Sequence, residues 1–147
     1  MKLGHRYDAL FAKRPQGSFI PFLMLGDPDL ETSLELLLAL VDAGADALEV
    51  GLPFSDPLAA GPTIVAAAVR AQKAGVTPAA ALSLVKEVRA QRPDVPIGLL
   101  TYANLVVHKS IDAFYQQAAE VGLDSVLIAD VPSGEIEPFA EVADTHD

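Results

Sequence analysis

Four short apolar runs, each closed by a turn and separated by stretches of helical periodicity, constrain this chain more than any other feature. The first, SFIPFLML at Ser18–Leu25, is rich in Phe and Ile and ends in Gly26-Asp27-Pro28, so it reads as a buried strand with a turn. Asp46–Val50, Pro96–Thr101 and Ser125–Ala129 repeat the pattern. Between them lie helices with their own punctuation. Glu31–Ala43 carries Leu34, Leu37, Leu38 and Val41 on one stripe with Gly44 at its end, and Leu36 and Leu40 widen that stripe into an arc that wants cover on more than one side. Pro62 opens a helix that Gly75 closes, and Thr77-Pro78 opens another that runs to Gln91. Ser110 caps Ile111–Val121 before Gly122, and a last helix begins near Ser133. No linker or low-complexity tract interrupts residues 1–147, which read as a single domain.

Strands alternating with helices imply right-handed crossovers and a parallel sheet, with strands that look buried on both faces. An open doubly wound sheet and a (β/α) barrel both satisfy that pattern. GLPFSDPLAAG lacks the G-x-G-x-x-G spacing of a dinucleotide site, which lowers the first. Polar residues gather just after the strands: Asp27, Glu49 with Asp56, Tyr102 with Asn104, and Asp130. Catalytic groups of barrel enzymes occupy that end. The expected fold is therefore α/β, a parallel (β/α) half barrel of about four strands, half of a TIM barrel.

Composition narrows the partners. With 51% hydrophobic and 20% charged residues, the chain is too apolar for disorder. Its formal charge of -10 repels nucleic acid and anionic membrane surfaces. Cysteine is absent, which removes disulfides and thiolate metal sites, and His5, His108 and His146 show no metal-ligand spacing. The opening MKLGHRYDALFAKR has no apolar core of a signal peptide, and no run approaches the ~18 residues that span a bilayer. A soluble cytoplasmic protein is expected.

LEVGLPFSDPLAAGPTI, together with FIPFLMLGDPD, PIGLLTYANLV and DSVLIADVP, resembles the alpha chain of tryptophan synthase, from about Phe19 to Pro132 and in that family's order. The resemblance implies cleavage of indole-3-glycerol phosphate to indole and glyceraldehyde 3-phosphate, a carbon-carbon lyase step in tryptophan biosynthesis with no cofactor of its own. It implies that Glu49 is the catalytic acid/base, against the plainer reading of a strand-end acid in a hydrogen-bond network. The family's second acid, which holds the indole N–H, falls at Ala60, and Val65 stands where glutamine is usual. Phe22, Leu100, Leu127 and Ala129 match the indole pocket, with Tyr102 as a further substrate-binding candidate, although packing explains each equally well. Pro53 and Asp56 lie in the loop that faces the beta chain in that family.

The resemblance covers the family's N-terminal half, and the phosphate loops and lid belong to the other half. Hence the expectation is a truncated, altered half alpha chain, a folding or assembly half barrel deficient in lyase activity. Two alternatives stand beside it: residual lyase activity when a second half is supplied, and a docking module for the beta chain. Free edges at the first and fourth strands further predict a homodimer, with strand four of one copy beside strand one of the other in a closed ring.

Overall fold

Helix boundaries follow the capping residues. The computed structural model describes residues 5–14 and 16–146. In chain order the elements are α1 (His5–Lys13), β1 (Phe22–Met24), α2 (Leu30–Asp42), β2 (Leu48–Gly51), α3 (Pro62–Lys73), α4 (Pro78–Gln91), β3 (Ile97–Thr101), α5 (Ala103–Val107), α6 (Ile111–Val121), β4 (Ser125–Ile128) and α7 (Glu137–His146), with a 3-10 turn at Ser133–Glu135 before α7. The Asp29 carboxylate accepts the Thr32 N–H at 2.9 Å, Thr77 Oγ1 that of Ala80 at 3.2 Å, and Ser110 Oγ that of Ala113 at 3.0 Å. Each bond satisfies one of the donors that a helix start leaves unpaired. Gly122 closes α6 at φ 85, a left-handed conformation that costs glycine little.

The four strands form one parallel sheet in the order β1-β2-β3-β4. Register aligns Phe22, Glu49, Gly98 and Ser125 in one row, and Met24, Gly51, Leu100 and Leu127 in a row two residues on. Strand alternation sends both rows to one face. The opposite face carries Val50, Ile97, Leu99 and Ile128 into the main core, where Leu37 of α2, Val85 and Val88 of α4, and Phe114 and Val121 of α6 cover it. The helices thus bury one face of the sheet and leave the other concave and partly open. Strands β2 and β3 are largely buried on both faces as expected, and β4 departs from it: Leu127 is 52% exposed and Ser125 is exposed as well. The physical reason is that the inner face is covered only at its β1 side, where Ile64, Ala67 and Ala68 of α3 pack on Phe22 and Met24, and lies open at β4.

The N-terminal end of the sheet is tied down by charge. Asp124, with its carboxylate fully buried, accepts from Arg6 Nη1 at 2.7 Å, Arg89 Nη2 at 2.7 Å and the Ile97 N–H at 2.8 Å. Arg89 also donates to the carbonyls of Pro93, Val95 and Gly122. Burial pulls its pKa below the usual arginine value against the opposing pull of Asp124. Arg6 anchors α1, whose Tyr7 hydroxyl comes up against the inner face. A Cβ added at Gly98 would lie 2.8 Å from both Tyr7 Oη and Ser125 Oγ, so the approach of Tyr7 requires glycine there. Burial raises the Tyr7 pKa, partly countered by its hydrogen bond with Ser125.

Strand bounds are shorter than the apolar runs, most of all in β1. Its ladder nonetheless extends on either side, since Glu49 N–H donates to the Pro21 carbonyl at 3.0 Å and Leu25 N–H to that of Gly51 at 2.9 Å. Two helices, α1 and α5, are not announced by the sequence pattern. The last helix starts later than Ser133, after the 3-10 turn.

Candidate active site

Strand β2 places Glu49 on the inner face, and the loop that follows folds back over the C-terminal end of the sheet. That loop is shaped locally. The Ala60 N–H donates to the Pro57 carbonyl at 3.0 Å in a tight turn, and Gly61 then leads into α3 with Pro62 at its first position. Phe54 lays its ring 5.5 Å from that of Tyr102, between centroids, which binds the loop to the end of β3. Between loop and sheet lies a cavity of about 280 Å³.

Most of the expected site residues meet there. Phe22, Glu49, Leu100, Tyr102 and Ala129 come from the strands and their ends, and Ala60 comes from the loop. Nine further residues line it, among them Met24, Phe54, Ile64 and Ala68, which the motif does not point to. Met24 was legible, since it stands two residues after Phe22 and shares its face; Ile64 and Ala68 depend on how α3 leans against β1. Leu127 does not join this group. It lines a second cavity of about 240 Å³ with Tyr7, Ile20, Gly98 and Ser125, and Glu49 borders both. Val65, expected on the same wall as Ala60, is not among the lining residues. Pro53 is buried beside the cavity, and Asp56 is exposed on the loop, where it accepts a 2.6 Å bond from the Ser55 hydroxyl.

The other acids after the strands serve the fold. Asp27 accepts both bonds of a fork from Arg70, at 2.8 and 2.7 Å, and so ties the turn after β1 to α3. Asp130 accepts the Ala103 N–H at 2.7 Å, at the start of α5. Glu49 differs from both. Among the described residues its carboxylate makes no side-chain hydrogen bond, although the Tyr7 hydroxyl is near enough to feel its charge, and no Lys, Arg or His lines either cavity. A lone carboxylate facing an apolar, aromatic-lined space is equipped to exchange a proton with a bound molecule, or to accept its N–H. Among the described residues there is no cluster of three or more His, Asp or Glu that could hold a metal, and no helix is long and apolar enough to cross a membrane.

The family model for the tryptophan synthase alpha chain matches residues 9–147. The chain belongs to the tryptophan synthase alpha chain family. Its curated relatives include the tryptophan synthase alpha chains of Serratia proteamaculans, 57% identical over 144 residues, and of Klebsiella pneumoniae, 56% identical over the same length; each alignment covers 96% of this chain and 54% of the relative. Among solved structures, tryptophan synthase subunit alpha from Legionella pneumophila superposes with a TM-score of 0.91 at 34% identity, over 96% of this chain and 55% of that one. The tryptophan synthase a2b2 complex of Pyrococcus furiosus contains a match with a TM-score of 0.83 at 40% identity, over 88% of this chain and 51% of that one. This family member therefore spans about half the length of the curated relatives it matches. Its four parallel strands correspond to about half of those structures.

Proposed function

We propose that this chain is a single domain that supplies the N-terminal half of a tryptophan synthase alpha-type site, with Glu49 as the group that moves protons in the cleavage of indole-3-glycerol phosphate. The observation that carries the reading is the Glu49 carboxylate, which makes no side-chain hydrogen bond among the described residues and opens on a cavity walled by Phe22, Leu100, Tyr102 and Ala129. By itself the chain is catalytically deficient. Ala60 presents a methyl group where the family pattern has the acid that stabilises charge on the ring, and among the described residues no cationic side chain lines the cavity to hold a phosphate. A cytoplasmic setting fits the absence of cysteine.

The test is indole release from indole-3-glycerol phosphate. The chain alone should give none above background, and Ala60→Asp should restore little. When a chain carrying the family's C-terminal half is supplied, Ala60→Asp should restore more, and Glu49→Gln should abolish what appears. Turnover by the unaided chain that survives Glu49→Gln would overturn the assignment of Glu49.

A second reading concerns partners. Both sheet edges and part of the inner face are open, with Phe19 58% and Leu127 52% exposed. A second copy related by a twofold axis can set its β1 beside β4, closing the ring and covering Leu127. Leu127→Lys should then convert a dimer to a monomer in light scattering, whereas a stable monomer of the unmodified chain at micromolar concentration contradicts this reading. The tip of the Pro53 to Asp56 loop, where Ser55 and Asp56 are exposed above a buried Pro53, is the proposed contact for a beta chain, a reading supported by the a2b2 assembly of the Pyrococcus furiosus relative. Asp56→Lys should weaken that association and leave the fold intact.

A further inference from the structure

From the charge around the cavity we infer that it accepts a small aromatic cation, an arylalkylamine, in preference to the neutral or anionic ligand of the same shape. The inference rests on the reading of this cavity as the ligand site but not on turnover there.

Three observations converge. The walls are apolar and aromatic: Phe22, Phe54 and Tyr102 present rings, and Leu100 and Ile64 fill between them. The volume of about 280 Å³ suits one bicyclic ring with a short tail. Among the described residues Glu49 is the only charged side chain lining the cavity, and the second cavity beside it contributes no basic group either. Among the described residues the other inward-facing or half-buried carboxylates have partners: Asp124 two arginines, Asp27 Arg70, Asp46 Arg14, and Asp29 the N–H and hydroxyl of Thr32. The compensating charge for Glu49 has to come from a ligand or from solvent. Ala60 reinforces the choice, because its methyl offers no acceptor, so a ring needs no N–H on that side. An ammonium on a two-carbon tail reaches Glu49 while its ring lies against Phe22 and Tyr102, and the rings favour the cation further. A carboxylate on the same tail meets Glu49 as a like charge with nothing to neutralise it.

The chain contains no tryptophan, so the fluorescence of indole ligands reports their binding directly. Three probes of one shape separate charge from ring: tryptamine, 3-ethylindole and indole-3-propionate. Tryptamine should bind about tenfold tighter than 3-ethylindole, with indole-3-propionate weaker than both. In Glu49→Gln the preference for tryptamine over 3-ethylindole should vanish, the two binding alike. Ala60→Leu, which fills the cavity from the loop, should weaken all three. Attraction of tryptamine by the overall charge of -10 would instead be indifferent to that substitution. Should far-UV circular dichroism show Glu49→Gln unfolded, the probe series and its salt dependence on the unmodified chain decide: added salt weakens tryptamine and leaves 3-ethylindole alone. Equal affinities for the three probes, a preference for tryptamine that persists in folded Glu49→Gln, or binding insensitive to Ala60→Leu would overturn the inference. Absence of lyase activity leaves it standing, since no step of the test requires turnover.

Discussion

Asp124 and Glu49 are separated by one strand, β3, and very little height. Asp124 directly precedes Ser125, which shares a row of the sheet with Glu49. Asp124 is enclosed by two arginines and a backbone N–H, and it joins α1, α4, β3 and β4. Glu49 borders two cavities and makes no side-chain hydrogen bond among the described residues. Residue type does not separate them; the donors around each do. A buried carboxylate with its bonds satisfied holds elements together, and removing one partner strands the remaining charge. A half-buried carboxylate left unsatisfied adds little to the fold and stays available to a ligand. The sheet thus sets a structural carboxylate and an open one at nearly the same level.

The largest blow to that contrast falls at the structural carboxylate. Arg89→Ala removes four carbonyl contacts and the pair with Asp124 at once, from a side chain only 13% exposed. It should cost about 3 to 5 kcal/mol in urea unfolding. A loss near that of a surface substitution would mean that Arg6 alone satisfies Asp124. Gly98→Ala comes next, because its methyl would sit 2.8 Å from Tyr7 Oη and Ser125 Oγ. It should cost about 1 to 3 kcal/mol. The loss should shrink in a Tyr7→Ala background, and a double-mutant cycle with no coupling would show that Tyr7 does not press on Gly98.

The smallest effect is one of pH. Burial raises the Tyr7 pKa above its ordinary value of 10.0 in the folded state. A group whose folded pKa is raised contributes stability that is complete below the unfolded value and is lost as pH rises through the folded value. Alkaline unfolding should therefore begin above pH 10, and Tyr7→Phe should blunt it. Tyr115, raised by burial in the same direction, keeps a residual alkaline limb in that variant. An unchanged alkaline limb in Tyr7→Phe would place the titration entirely elsewhere.

Local chemistry explains which parts of this arrangement could be read in advance. Thr77, Ser110 and Gly122 act within a few residues of themselves, so the starts of α4 and α6 and the end of α6 follow directly from sequence. The parallel sheet follows from the alternation of elements, and Glu49 with its neighbours from the motif around it. Asp124 is different. Its partners lie 118 and 35 residues away, and nothing near it in sequence distinguishes it from Asp130 or Asp27. The helix α1 went unread for the same reason, since Arg6 and Tyr7 acquire their roles only by docking under the sheet. The five residues of α5 are too few for a periodicity to emerge from YANLVV. Leu127 and Leu100 share a face and a row, and both match the indole-pocket motif; they part because Leu100 of β3 lines the cavity under the loop after β2, whereas Leu127 of the edge strand β4 lines the one beside Tyr7.

The most direct test of the contrast is a matched pair of charge-removing, shape-preserving substitutions, Asp124→Asn and Glu49→Gln, compared by urea unfolding at neutral pH. Loss of the charge between Arg6 and Arg89 should lower stability by about 3 kcal/mol, and loss of the charge at the cavity should change it by no more than about 0.5 kcal/mol in either direction. A penalty for Glu49→Gln as large as that for Asp124→Asn would contradict the account, since it would make Glu49 a fixture of the fold rather than a group held open for a ligand.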